Sequence, residues 1–494
     1  MSFSDDEVRA LEEAGPEGAL LRQVWPFRPI GVHARSLGVP VERLEALRGS
    51  LVTFGEARGA IAAYASAEPE PIGVLAIITR DRTALLERCL ASHVSSVRRV
   101  VIDGSIEAST REAHRALAQR HGAAYVGLEE KRARVDRIDG DRRRLLAFAL
   151  GVGGTRANDA GANRNAALLF AAGAPLVMVD DDTTARTTTP ASRDLVITSA
   201  HDSTELTFFR DVEGALREAP FDPAVDPIAL HQRLLGRSVA ACVRDAPKID
   251  LDGARPKLLS MLMREGGRVA LTALGVAGDS GMGAPEYVLG VDEPSRSRLW
   301  ATYAPRSRAV WRWVPEETIT SSALLMSASL GIDARVRAPF FPHGRNQDGL
   351  FAQTVRAQDP GALIGHLPAG VEHSAPGRVS SAGGTRVTDA IIGLMLDGGL
   401  AATDLRGRLA RAEVARVQRQ IARFAEALER APDDAPIQWR RDVEARIATL
   451  AVVGSGVPDA ETIGVDAALA RFAESLRDFS DLIEVWPSFF YPSP

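Results

Sequence analysis

APLVMVDDDTTAR, residues 174–186, drives an apolar segment straight into three adjacent carboxylates. Leu176 to Val179 has the continuous apolar texture of a strand buried on both faces. Asp180, Asp181 and Asp182 then follow with no spacer. Crowded carboxylates repel, and each raises the cost of ionising its neighbours. The segment therefore predicts a positive group among them. Asp180 and Asp182 offer hard oxygen ligands at a strand end, the chemistry that magnesium or manganese favours when bridging a protein to phosphate oxygens. An acidic turn or a helix N-cap uses the same residue types, but a buried strand inside an α/β pattern favours the metal.

Working outward, the same rhythm repeats. PIGVLAIITR (71–80) is a short apolar run of buried-strand character. RTALLERCLASHV (82–94) is an amphipathic helix, and VRRVVIDGS (97–105) a strand ending in a turn. STREAHRALAQRHG (109–122) is a helix with glycine just past its end. AAYVGL (123–128) is a third strand. EEKRARVDRIDGDRRR (129–144) reads as a solvated loop or helix face, and GANRNAALLFAAGA (161–174) as the helix before the fourth strand, PLVMV (175–179). Alternating strands and helices with short links predict a mostly parallel, Rossmann-like sheet covered on both faces. Ligands in such sheets bind beyond the carboxyl ends of the strands. Arg80, Asp103 and the aspartate triplet all lie at such ends.

Bulk properties narrow the function classes. A net charge of −5 argues against a protein that tracks nucleic-acid phosphates. Lysine occurs only at Lys131, Lys248 and Lys257, so anions must be met by arginine or backbone amides. Cys89 and Cys242 make neither a disulfide framework nor a zinc motif. The acidic start lacks the apolar centre of a signal peptide, and no uncharged run reaches membrane-span length, so a cytoplasmic location is expected. GVGG (151–154) lacks the full dinucleotide fingerprint, and no Walker A, HExxH or GxSxG motif is present.

Three pieces in order carry a family resemblance: LAIITRDRTALLERCLAS, VVIDGS and GANRNAALLFAAGAPLVMVDDDT. Residues 72–183 resemble the nucleotide-sugar-binding half of GT-A-fold glycosyltransferases of the family-2-like, DxD-containing group, over about a quarter of the chain. The resemblance implies a GT-A-like α/β domain over 71–385. Its nucleotide-sugar half would span 71–185 and its acceptor half 186–385. A helical segment (1–70) would precede it and a helical domain (386–494) follow it. In the C-terminal domain 405–431, 437–453 and 467–486 form long amphipathic helices suited to building a homodimer. It further implies that Thr79 and Arg80 line the base and ribose pocket and that Asp103 hydrogen-bonds the nucleoside. Arg164 would sit near the diphosphate, where a guanidinium suits phosphate oxygens. Asp180 and Asp181 would meet the nucleotide-sugar, and Asp182 would bind Mn²⁺ or Mg²⁺ directly.

In the resembled group a late helix opens with an acidic pair that supplies the general base. PFFPHGRNQDGLFAQTV (339–355) offers Gln347–Asp348 there, so Asp348 is the candidate base, with glutamine in place of the usual first acid. Such enzymes often complete metal coordination with a histidine. His373, in a polar loop before Ser-Ala-Pro-Gly, fits better than His366 in its apolar run, and His343 is a lesser candidate for acceptor binding. VAGDSGMGAPEY (276–287) has the composition of a mobile lid, and Trp311 and Trp313 share one face of a strand. The expected reaction is metal-dependent, inverting transfer of a sugar from a nucleotide-sugar donor to an acceptor hydroxyl, the acceptor being a glycan, lipid, peptide or small molecule. Two alternatives remain. One is a sugar-phosphate nucleotidyltransferase, although IITRDRTALLERC has none of the glycines of that group's phosphate loop. The other is a non-catalytic nucleotide-sugar-binding or scaffold protein.

Overall fold

The computed structural model describes residues 54–65, 68–94, 97–153, 160–199, 205–279, 309–322, 328–343, 347–374 and 477–490, with scattered single positions elsewhere. The expected helices at 405–431 and 437–453, apart from scattered positions, residues 467–474 of the third, and the lid segment beyond Asp279 lie outside the described residues. In chain order, α1 (Phe54–Ala62) precedes β1 (Val74–Thr79), α2 (Thr83–Ser92), β2 (Arg98–Asp103), α3 (Ala108–Arg120) and β3 (Ala124–Val126). Three helices follow, α4 (Leu128–Val135), α5 (Gly140–Leu150) and α6 (Ala160–Phe170), and then β4 (Leu176–Asp180). The second half adds β5 (Thr183–Thr187), β6 (Leu195–Thr198), β7 (Glu205–Phe208), α7 (Val212–Glu218), α8 (Pro227–Gln232), α9 (Val239–Asp245), β8 (Ile249–Asp250) and α10 (Pro256–Glu265). It closes with β9 (Arg268–Asp279), β10 (Ala309–Trp313), β11 (Glu317–Thr320), β12 (Ser329–Ile332), α11 (Gln347–Gln358) and β13 (Ala362–His373).

All these strands join one mixed sheet, ordered β3-β2-β1-β4-β12-β9-β13-β11-β6-β8, with β5, β7 and β10 paired off that path. Along the path most neighbours are parallel. The first four strands are parallel throughout, whereas β12 lies antiparallel between β4 and β9. This is a Rossmann-like α/β architecture with a largely parallel core and flanking helices. No helix among the described residues is long and apolar enough to cross a membrane.

Alternation along β1 explains the layers. Val74, Ala76 and Ile78 enter a core with α5, α6 and the C-terminal residues Phe479, Leu482 and Trp486. Leu75 and Ile77 enter the opposite core with Leu86 and Leu90 of α2 and Leu117 of α3. Successive strand residues face opposite sides, and each fully buried Leu, Ile or Val contributes about 1.5–3 kcal/mol. A third core fills the space between β6, β9, β11 and β13 and helices α1, α9 and α10. The charged run 129–144 presents a mostly exposed helix face, as expected, with Lys131 as the exception among its charges. It forms α4 and the first half of α5, and Lys131 within it is fully buried.

Close packing positions the later helices. A Cβ on Gly161 would lie 1.9 Å from the Phe341 carbonyl oxygen, so only glycine lets the start of α6 approach this segment. Asn165 then clasps it: Nδ2 donates to the carbonyls of Phe340 (2.9 Å) and Ala149 (3.0 Å), and Oδ1 accepts from Phe340 N–H (2.7 Å). Phe340 stacks on Phe351 of α11 with centroids 3.7 Å apart. The helix that carries Asp348 is thereby held against the helix that carries Arg164.

Candidate functional site at the end of β4

The triplet sits where β1, β4 and β13 end together. Asp181 N–H donates to Ile78 C=O at 3.0 Å, continuing the β1–β4 ladder one residue past β4. Directly after the triplet, β5 pairs antiparallel with β13 and sets His373 opposite Thr183. Ser374 N–H donates to Asp182 C=O at 2.8 Å and locks that join. Two residues 191 positions apart are thus brought together by strand pairing. His373 Nε2 lies 3.1 Å from Asp182 Oδ1, with both side chains buried. The histidine ends a buried strand and is not in the polar loop that its neighbours in sequence imply.

The cations predicted by the crowded carboxylates come from the chain itself. Arg82 reaches Asp182 Oδ2 with Nη1 at 2.7 Å and Asp181 Oδ1 with Nη2 at 3.1 Å. Arg164 Nη2 donates to Asp180 Oδ1 at 3.0 Å. Arg88 Nη2 donates to Asp182 C=O at 3.2 Å and to Ser374 C=O. Thr79 Oγ1 donates to Asp181 Oδ2 at 2.7 Å. Burial works to raise Asp182, but His373 and Arg82 outweigh it and hold the carboxyl far below the usual range. Burial lifts Asp181 to about 7 despite Arg82, and desolvation raises Asp180 against the pull of Arg164. For His373, burial opposes the charge, but Asp182 raises it to about 9. The site therefore holds one firmly ionised carboxylate, Asp182, beside two that accept protons more readily.

His373 Nδ1 hydrogen-bonds Asp279 C=O, so that nitrogen carries the proton and Nε2 faces the carboxylate. With Nδ1–H given to Asp279, the contact between Nε2 and Asp182 Oδ1 is closed by the proton that Asp182 holds on His373, and a divalent cation could take that proton's place. Neighbouring ligands of an octahedral ion at about 2.1 Å lie roughly 3.0 Å apart, which matches the Asp182–His373 spacing. A backbone carbonyl fixing the far nitrogen is also how metal-binding histidines are usually oriented. Among the described residues no three His, Cys, Asp or Glu side chains form a ready cage. Two protein ligands suit an ion that takes its remaining ligands from water and phosphate. Asp182 Oδ1 and His373 Nε2 are the two side-chain atoms that could hold such an ion.

A second buried carboxylate, Asp103, is the last residue of β2. It accepts from Ser105 N–H (2.7 Å) and Tyr125 O–H (2.8 Å), with His114 Nδ1 at 3.1 Å. His114 Nε2 in turn meets Thr83 Oγ1 at 3.0 Å. Asp103 is held below the ordinary carboxylate range, burial being outweighed by the hydrogen bonds from His114, Ser105 and Tyr125. Beneath it, Lys131 Nζ donates to Asn163 Oδ1 (2.6 Å) and Asp103 C=O (3.1 Å). The side chain expected to greet a nucleoside is thus satisfied from within. Arg80 pairs with Asp81 on the surface at 3.5 Å. Asp348 stands in the first turn of α11, where its Oδ1 accepts from Gly349 N–H at 3.0 Å. That helix packs against α6 and β13. His343 lies edge-on to Phe148, and Trp311 and Trp313 stack on β10.

The expected residues Thr79, Arg164, Asp180, Asp181, Asp182 and His373 therefore form one connected group, while Asp103 heads a separate network. Arg82, Arg88, His114, Tyr125 and Lys131 are additions that the sequence reading lacked. The signal for Arg82 lay in Arg80-Asp81-Arg82, but its direction depends on a left-handed turn at Asp81 (φ 54°). No protein-family model matches the chain, and no curated protein matches it.

Proposed function

We propose that this chain is a metal-dependent glycosyltransferase that moves a sugar from a nucleoside-diphosphate sugar to an acceptor hydroxyl. The observation that carries the reading is Asp182 Oδ1 opposed to His373 Nε2 at 3.1 Å, at the carboxyl end of the parallel strands. A divalent ion bound there would stabilise the charge that develops on the departing diphosphate. Asp182 stays ionised for that role, and the Asp279 carbonyl orients His373. Thr79 and Arg164 hold Asp181 and Asp180 in place by hydrogen bonds. Asp348, on the helix packed beside Arg164's helix, would accept the proton of the attacking hydroxyl, giving inversion at the anomeric carbon.

The test is release of nucleoside diphosphate by the purified full-length chain from a panel of nucleotide-sugars, with and without Mn²⁺. Manganese-dependent turnover is expected, with a loss of at least about 100-fold in Asp182→Asn at unchanged folding. One observation favours a second reading. Arg82 already neutralises Asp181 and Asp182, as it would in a metal-free binding protein. Tight nucleotide-sugar binding that manganese does not affect, without turnover, would support that reading instead.

A further inference from the structure

The two arginines on the triplet differ in what they can release. Arg164 lies on α6 with its side chain 2% exposed, is committed to Asp180, and has its guanidinium 5.9 Å from the Phe340 ring centroid. Moving it would strand a buried charge, which is strongly destabilising. Arg82 is 37% exposed, and it spans two carboxylates from the solvent side. It hangs from the N-terminal end of α2, just after the left-handed turn at Asp81. That turn is pinned by Ser105 Oγ, which accepts from Asp81 N–H at 2.9 Å. The backbone of Arg82 is thus fixed while its head can leave for water at little desolvation cost.

A cation and Arg82 cannot share Asp182 freely. Arg82 Nη1 takes Oδ2, and Oδ1 is the atom facing His373. A second full charge beside a guanidinium at 2.7 Å from the same carboxylate is repelled by it. A diphosphate brought in with the ion presents paired anionic oxygens that a planar guanidinium binds with two parallel N–H groups. From this we propose that Arg82, and not Arg164, is the diphosphate-binding arginine: it holds Asp181 and Asp182 when the site is empty, and transfers to the phosphate oxygens when a divalent cation takes Asp182. The inference rests on the glycosyltransferase reading and names the residue of that site that recognises the donor's charge.

Calorimetric titration of the full-length chain with Mn²⁺ alone, and with inorganic pyrophosphate in the presence of Mn²⁺, tests it. In Arg82→Gln the affinity for Mn²⁺ alone rises about tenfold while that for pyrophosphate falls about tenfold. Arg82→Lys keeps the charge without the fork and recovers only part of the pyrophosphate affinity. Opposite movement of the two affinities is the signature, because general damage to the site weakens both. Both affinities unchanged, or both weakened, in Arg82→Gln would overturn the assignment while leaving the proposed function standing. Failure of the wild-type chain to bind Mn²⁺ or pyrophosphate would remove the proposed function and this inference together.

Discussion

Two buried carboxylate centres lie at neighbouring strand ends and are satisfied in different ways. Asp103, at the end of β2, is held by a backbone N–H, a tyrosine hydroxyl and a histidine, all within 3.1 Å. Asp180, Asp181 and Asp182, at the end of β4, are held by Arg164, Arg82 and His373. The first centre is closed: its partners are mostly neutral and come from elements that pack around it. The second is balanced by full charges, and one of them, Arg82, reaches it from the solvent side. A centre closed by short-range hydrogen bonds stiffens the fold, whereas a centre balanced by a displaceable cation can exchange that cation for a ligand.

The largest expected effect falls on the closed centre. Asp103→Ala leaves Tyr125 O–H, Ser105 N–H and His114 without their acceptor, and should cost about 3–5 kcal/mol in chemical denaturation. A cost under 1 kcal/mol would erase the contrast between the centres.

Next is a pH dependence that belongs to the same centre. Burial, partly offset by Asp103 and Glu130, pushes Lys131 down to about 8. Between that value and the ordinary lysine range the unfolded chain binds more protons than the folded one, so stability rises with pH. Wild type should gain on Lys131→Met by up to about 1.4 kcal/mol per pH unit from pH 8 toward 10. A gap that does not change with pH would show that Lys131 is not desolvated as the fold requires.

Asp182→Asn should cost about 1–3 kcal/mol, because it strands the charge on buried His373 and loosens Arg82's hold, offset in part by relief of the repulsion among three carboxylates. A loss as large as that of Asp103→Ala would make the triplet a structural centre too. Tyr125→Phe removes a single donor to Asp103 and should cost about 1 kcal/mol.

What could be read in advance follows the same division. β1 to β4 were legible because each is an apolar run between helix signals, and their order fixed which ends converge. His373 and Asp182 were legible as residue types, but their meeting depends on β5 pairing with β13, which no local pattern announces. The strands of the second half are mostly four or five residues long and carry no period, so their order across the sheet stayed hidden. Lys131 sits in a run of charges, and the acceptors that explain its burial, Asn163 Oδ1 and Asp103 C=O, lie 32 and 28 residues away. Asp103 showed its strand-end position but not the His114 and Tyr125 that close it, since both come from later elements.

The most direct test of the central claim is Mn²⁺ binding, followed by electron paramagnetic resonance, in wild type, Asp182→Asn, His373→Gln and the double variant. If one ion is shared by these two side chains, each single change lowers affinity at least about tenfold, and the double change adds little to the worse single. Equal Mn²⁺ affinity in wild type and His373→Gln would contradict the account, leaving the pair a protonated ion pair and the β4 end a site without a metal.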